Sequence, residues 1–134
     1  MRFTVAFLMI FSMLLPGCAP RSYRLAKSGM ALEQKGYLIE AEKKFSKALK
    51  INPNEPLALI GIGYVYYKKE MYDEAIASYK KGLEGHPEIA KENPEAHYYL
   101  GLAYNKKDMT EEARKEFGKY RKLRRVELQM KGGK

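Results

Sequence analysis

Apolar residues recur at three- and four-residue spacing through most of this chain, the periodicity of helices that bury one face. The pattern predicts six helices, over about 22–35, 38–51, 56–69, 72–84, 94–107 and 110–130, paired into three hairpins. Pro53 and Pro87 mark where a new first helix begins. Asn54 and Asn93 are expected to cap the helices that follow, and Pro94 suits a first helical position. The last helix is unusually long. Its stripe runs through Ala113, Phe117, Tyr120, Leu123, Val126 and Met130, and Gly132-Gly133 ends it. Ahead of the helices lies a different pattern, Phe3 to Leu15, in which only Thr4 and Ser12 are polar.

The helical part repeats. Leu59-Ile60-Gly61-Ile62-Gly63-Tyr64-Val65-Tyr66 aligns with His97-Tyr98-Tyr99-Leu100-Gly101-Leu102-Ala103-Tyr104. In both, a glycine follows an apolar residue and an aromatic stands three places on. A small residue follows, Ala75 or Ala113, and then an aromatic four places later, Tyr79 or Phe117. The first unit keeps the frame with Gly29, Leu32, Ala41, Phe45, Ala48 and Pro53, and the second closes with Gly82 and Pro87. Pro53 and Pro87 lie 34 residues apart. Gly29, Gly63 and Gly101 leave room for the paired helix, and Ala41, Ala75 and Ala113 do the same from the other side.

This frame resembles the tetratricopeptide repeat, whose period is about 34 residues. The resemblance implies an all-α fold of three helical hairpins in a right-handed α-solenoid with an extended last helix. The units are 22–55, 56–89 and 94–130, followed by a tail at 131–134. The chain departs from the family pattern at Ser28, at four extra residues around Glu88–Asn93, and at Arg125 in place of a closing proline. Such repeats bind partners on a concave groove lined by their first helices. Carried over position by position, the groove takes Tyr23, Ala26, Met30, Glu33 and Gln34 from the first unit. It takes Leu57, Ile60, Tyr64, Tyr67 and Lys68 from the second, and Glu95, Tyr98, Leu102, Asn105 and Lys106 from the third. Family members that hold a C-terminal carboxylate do so with Lys and Asn where this chain has Ala26 and Met30, so that mode is not expected. An extended peptide or amphipathic helix on an aromatic floor is expected instead.

Arg2, the apolar run and Gly17 before Cys18 have the layout of a secretory signal. The run is shorter than the roughly 20 residues needed to span a bilayer. Leu15-Pro16-Gly17-Cys18 resembles the lipobox of bacterial lipoproteins, with Pro16 in place of a small residue. The resemblance implies removal of residues 1–17, lipidation of Cys18, the only cysteine, and a short tether at 18–22. With Ala19 next, it implies the periplasmic face of the outer membrane in a Gram-negative cell, or the cell membrane in a Gram-positive one.

Charge narrows the picture less. The chain carries +9, and loss of Arg2 with the leader leaves +8. Positive charge concentrates at the end, in Lys119, Arg121, Lys122, Arg124 and Arg125. These residues fit a solvated helix end complementing the helix dipole, a surface for anionic lipid, or a nucleic-acid site, and export argues against the last. No catalytic constellation, phosphate-binding loop, metal site or cofactor motif is found. His86 and His97 read as a loop residue and a helix-packing residue, and the carboxylates as mainly solvated. The expectation is a non-enzymatic, lipid-anchored adaptor that binds an envelope protein and assists assembly, resembling pilotins or accessory lipoproteins of outer-membrane biogenesis. The alternative is a structural homo-oligomer that self-associates through 110–130.

Overall fold

The computed structural model describes residues 19–132, so the leader at 1–17, Cys18 and the last two residues lie outside it. Seven helices are found among the described residues: α1 Arg21–Gln34, α2 Leu38–Ile51, α3 Pro56–Lys68, α4 Tyr72–Leu83, α5 Pro87–Glu92, α6 Glu95–Lys106 and α7 Thr110–Gly132. α1 pairs with α2, α3 with α4, and α6 with α7. The hairpins stack because α3 also packs on α1 and α2, and α6 packs on α4 and α3. Six helices match the expected ones to within one or two residues at each end, where helix limits are soft. The seventh, α5, was not expected. Pro87 starts it, and it is held by Ala90, which is buried, and by Ile89, which packs against both halves of the core.

The three turns inside the hairpins share one construction. Gly36, Glu70 and Asp108 take left-handed backbone angles, with φ of 84°, 61° and 58°. Each turn closes with paired amide bonds back into the first helix, as where Gly36 N donates to Glu33 O and Tyr37 N to Leu32 O. Only the first uses glycine, so Glu70 and Asp108 hold a conformation that ordinary side chains resist.

The caps differ from expectation. Glu55 stands at the start of α3, while the Asn54 amide bonds to the Asn52 side chain. The Asn93 side chain donates to Ile89 O at 2.9 Å, so it closes the end of α5 rather than opening α6. The inserted helix supplies exposed carbonyls in the turn before Asn93, and these take the side chain first.

The core has two parts that meet at α3. Ala26, Ala41, Phe45 and Ala48 close on Leu57, Ala58, Ile62 and Val65 from one side of α3. Ile60 on its other side closes on Ala75, Tyr79, Ala96, Leu100, Ala103, Tyr104 and Ala113. A helix apolar all round must be covered all round. The closest contacts are rings set on glycines. Phe45 is fully buried, and a β-carbon added to Gly29 or Gly61 would fall inside its ring's van der Waals envelope. Tyr79 sits against Gly63 and Phe117 against Gly101 in the same way.

The last hairpin is pinned by a buried polar chain. His97 Nδ1 lies 2.6 Å from Glu116 Oε2, and Lys119 Nζ donates to Glu116 Oε1 at 2.7 Å. Burial disfavours the ionised Glu116, but the hydrogen bonds from His97 and Lys119 and the Lys119 charge outweigh it, holding the carboxyl below its usual range. His97 is buried as a helix-packing residue between α6 and α7, and buried Glu116 departs from the solvated pattern of the other acids.

Two alanine substitutions separate packing from propensity. Gly61→Ala is expected to lower stability to urea by about 1–3 kcal/mol, since Phe45 has no room to give. Gly118→Ala, in open space within α7, is expected to raise it by up to about 1 kcal/mol through helix propensity alone. Equal effects at the two sites would contradict the seating of Phe45.

Candidate functional site

The concave side of the stack holds a cavity of about 420 Å³. α1 contributes Met30, Glu33 and Gln34, and α3 contributes Ile60 and Tyr64. Tyr79 reaches it from α4, Glu92 and Asn93 from the end of α5, and Glu95, Ala96 and Tyr99 from α6. The Tyr64 and Tyr99 rings meet edge to face, centroids 4.8 Å apart, and Tyr67 extends the aromatic wall 5.4 Å from Tyr99. An adjoining cavity of about 330 Å³ is lined by Lys27, Met30, Ala31, Gln34, Leu57, Glu92 and Asn93. Both spaces are bounded by the end of α5, so the residues that disturb the repeat period also rim the groove.

The structure brings together only some of the residues expected in the groove. Met30, Glu33, Gln34, Ile60, Tyr64 and Glu95 line the main cavity, and Leu57 lines the smaller one. Ala26 is fully buried and belongs to the core. Tyr23 packs on that core, and Tyr67 packs on Tyr72 and Tyr99. Leu102 is half-buried and lines neither cavity. Lys68 and Lys106 are exposed beyond it.

Tyr98 and Asn105 line neither cavity, although Tyr98 touches Tyr99, its ring centroid 5.5 Å away. Tyr98 contacts Phe117 and Tyr120 on α7, with centroids 5.8 and 5.3 Å away. Asn105 borders a shallow space with Thr110, Ala113, Arg114, Phe117 and Arg121. The reason is the end of the array. Among the described residues no further hairpin covers α6 and α7, so the aromatic residues there close on one another. Sequence reasoning missed Tyr79, Glu92, Asn93, Ala96 and Tyr99. A signal for Tyr79 was present: the same frame position is phenylalanine in the other two units, Phe45 and Phe117, so its hydroxyl is an addition that the core does not need.

The basic residues of α7 divide. Lys119 is held by Glu116, and Arg124 by Glu127 with Glu95 at 4.0 Å. Arg121, Lys122 and Arg125 are exposed and make no ion pair among the described residues. Arg121, Arg124 and Arg125 border a surface depression with Tyr120, Leu128 and Gln129. Val126 and Met130 are 45% and 71% exposed, so the stripe on the extension is uncovered, and Leu128 on another face is 62% exposed.

Three family models match the chain. One described as TPR repeat matches residues 63–108, and two described as tetratricopeptide repeat match residues 24–55 and 95–124. Together they reach all three hairpins, leaving 56–62 at the start of α3 unmatched. No curated protein matches the chain.

Glu33 carries the unusual chemistry of the cavity. Its Oε2 is buried and has no hydrogen-bond partner among the described residues. Burial pushes its carboxyl up from 4.5 to about 7, and its charge in turn raises the hydroxyl of Tyr79 further above the tyrosine range that burial already exceeds. A carboxyl whose pKa is higher in the folded state binds its proton more tightly there. Its contribution therefore destabilises the fold as pH rises from about 4.5 to about 7 and is constant above. Glu116, held below its usual range, acts in the opposite sense and on the acid side of that window. Glu33→Gln is expected to raise stability near pH 8 by about 1–2 kcal/mol, the full shift being discounted for partial exposure, and to change little near pH 5. Urea unfolding at the two pH values checks this; an equal effect at both would show that the Glu33 charge is not the cause.

Proposed function

Because the chain belongs to the tetratricopeptide-repeat family and so binds protein partners, we propose that it is a lipid-anchored adaptor of the bacterial envelope. In this reading it holds a segment of an envelope protein in its concave groove and assists that protein's assembly, as pilotin lipoproteins do for secretins. The observation that carries the binding part is the open cavity between α1, α3 and α6, walled by Tyr64 and Tyr99. Such rings offer a large apolar face at little entropic expense. The anchor rests on Leu15-Pro16-Gly17-Cys18. α1 begins at Arg21 with Ser22 buried, so only Ala19 and Pro20 separate it from Cys18. Two residues reach about 7 Å. A lipid at Cys18 therefore keeps the first hairpin against the bilayer surface, and the partner must come to it there. No helix among the described residues is long and apolar enough to cross a membrane.

One observation favours a second reading. The exposed Val126 and Met130, one turn apart on the extension of α7, continue an apolar stripe suited to a second copy. Light scattering separates the readings, since self-association through α7 makes the mass depend on concentration and Val126→Lys then abolishes that dependence.

Two tests bear on the first reading. A photo-crosslinker at Gln34, on the cavity rim, is expected to capture an envelope protein in living cells. Tyr64→Ala with Tyr99→Ala is expected to weaken that capture by tenfold or more, about 1.4 kcal/mol or above, with helical circular dichroism intact. Undiminished capture would count against the groove. Cys18→Ser is expected to move the protein from the membrane to the soluble fraction and abolish function, and a soluble form with full activity would refute the anchor.

A further inference from the structure

We propose that the main cavity is a receptor for one cationic side chain, lysine or arginine, of the bound partner, with Glu33 as its ionic anchor and Tyr64 and Tyr99 as its walls. That the cation belongs to a polypeptide rests on the adaptor reading; that the cavity selects a cation rests on its own lining.

The polarity of the cavity is opposite to that of the chain. The protein carries +9, yet the cavity is lined by Glu33, Glu92 and Glu95 and by no lysine, arginine or histidine. Basic groups stand around the cavity rather than in its lining, and Lys68 is near enough to Tyr99 to act on its hydroxyl. Lys27 lines the adjoining space, and Arg124 approaches Glu95 while bonding to Glu127. The acids alone decide little. The second observation is the state of Glu33, whose Oε2 is shut off from solvent and unpartnered among the described residues. A buried carboxylate without a counter-charge is destabilising, and one given a cation with hydrogen bonds ceases to be so. An ammonium or guanidinium in the cavity supplies the missing counter-charge. Ionisation of Glu33 and entry of the cation then go together.

The walls fit the same ligand. Tyr64 and Tyr99 line the cavity together with the carboxylates, and aromatic faces attract cations while covering an aliphatic stem. The volume is within the range of small-ligand sites. Other occupants fare worse. A chain-terminal carboxylate meets three like charges. A purely apolar side chain fills the space but leaves the Glu33 carboxylate without a counter-charge. Tyr79 belongs to the same design. It is seated on Gly63 like its phenylalanine counterparts and, although almost wholly buried, borders the cavity, where its hydroxyl feels the Glu33 charge.

The test uses single-residue probes on the whole protein in neutral detergent. N-acetyl methylamides of lysine, arginine and norleucine are titrated while the ¹³C-carboxyl resonance of Glu33 is followed. The lysine or arginine probe is expected to move that resonance saturably, and norleucine, of similar length without charge, to leave it unmoved. Glu33→Gln is expected to bind the cationic probes at least about tenfold more weakly. Equal binding of norleucine, absence of any cationic binding, or unchanged affinity in Glu33→Gln would overturn the proposal, the first two without any variant. Glu33-dependent self-association without probe would put a second copy's basic residue in the cavity and overturn the partner assignment. Cationic binding with no protein captured from Gln34 leaves the site standing and removes the adaptor reading. A captured partner that binds as well after its lysines and arginines are replaced by glutamine removes this inference alone.

Discussion

The architecture depends on an aromatic ring lying where a β-carbon would otherwise be. Phe45 fills the space over Gly29 in its own hairpin and over Gly61 in the next, so one ring joins three helices. The absence of side chains on the glycines brings the backbones close, and the ring removes the void this would leave. Interiors are packed too tightly for either half of the arrangement to be changed alone. Tyr79 on Gly63 and Phe117 on Gly101 repeat the seat, so each first helix meets its partner helix at a related point. The concave face is a consequence of these repeated seats. Through Tyr79, whose ring is seated in the core and whose surface lines the cavity, the seat also becomes part of the site.

α3 makes this constraint cooperative. Its two faces belong to the two halves of the core, so the middle hairpin is covered only when both neighbours are in place. Repeat stability is a sum of weak units and strong interfaces, and here the central unit has nearly all of its apolar surface in interfaces. α5 adds a tie of the same kind, because Ile89 packs against both halves while the end of the helix rims the groove. Shape at the site is therefore coupled to the integrity of the stack.

The period and the glycine, alanine and aromatic positions of the frame were enough to read the hairpins, because each reflects a local requirement of close helix packing. What escaped depends on neighbours brought in from elsewhere. Residues 87–92 are too short for periodicity to register, and their fold is set by Ile89 finding the core. Glu33 and Glu116 look like other surface acids in sequence; Glu116 becomes buried and meets His97 and Lys119, whereas Glu33 becomes half-buried with its Oε2 unpartnered among the described residues. Tyr98 holds a groove position by family alignment, yet the array ends beside it and α7 takes it. Glu92 and Asn93 reach the groove by an insertion that no repeat frame contains.

Net charge and site charge act at different stages of recognition. At physiological salt, exposed charges are screened beyond about 8 Å, so the +9 of the chain weakly disfavours a cationic partner at a distance and then loses its reach. The exposed Arg121, Lys122 and Arg125 act on encounter, through rates and salt dependence. Inside the cavity the balance reverses, because a carboxylate cut off from water interacts far more strongly than one in solution. The site can therefore choose a cation although the molecule as a whole repels it. This makes discrimination depend on contact, since a basic partner without a side chain that fits among Tyr64, Tyr99 and Glu33 gains nothing from the surrounding field. Selectivity of this kind follows from burying one unpaired acid in a basic chain, and it links the packing of the repeats to the choice of what they hold.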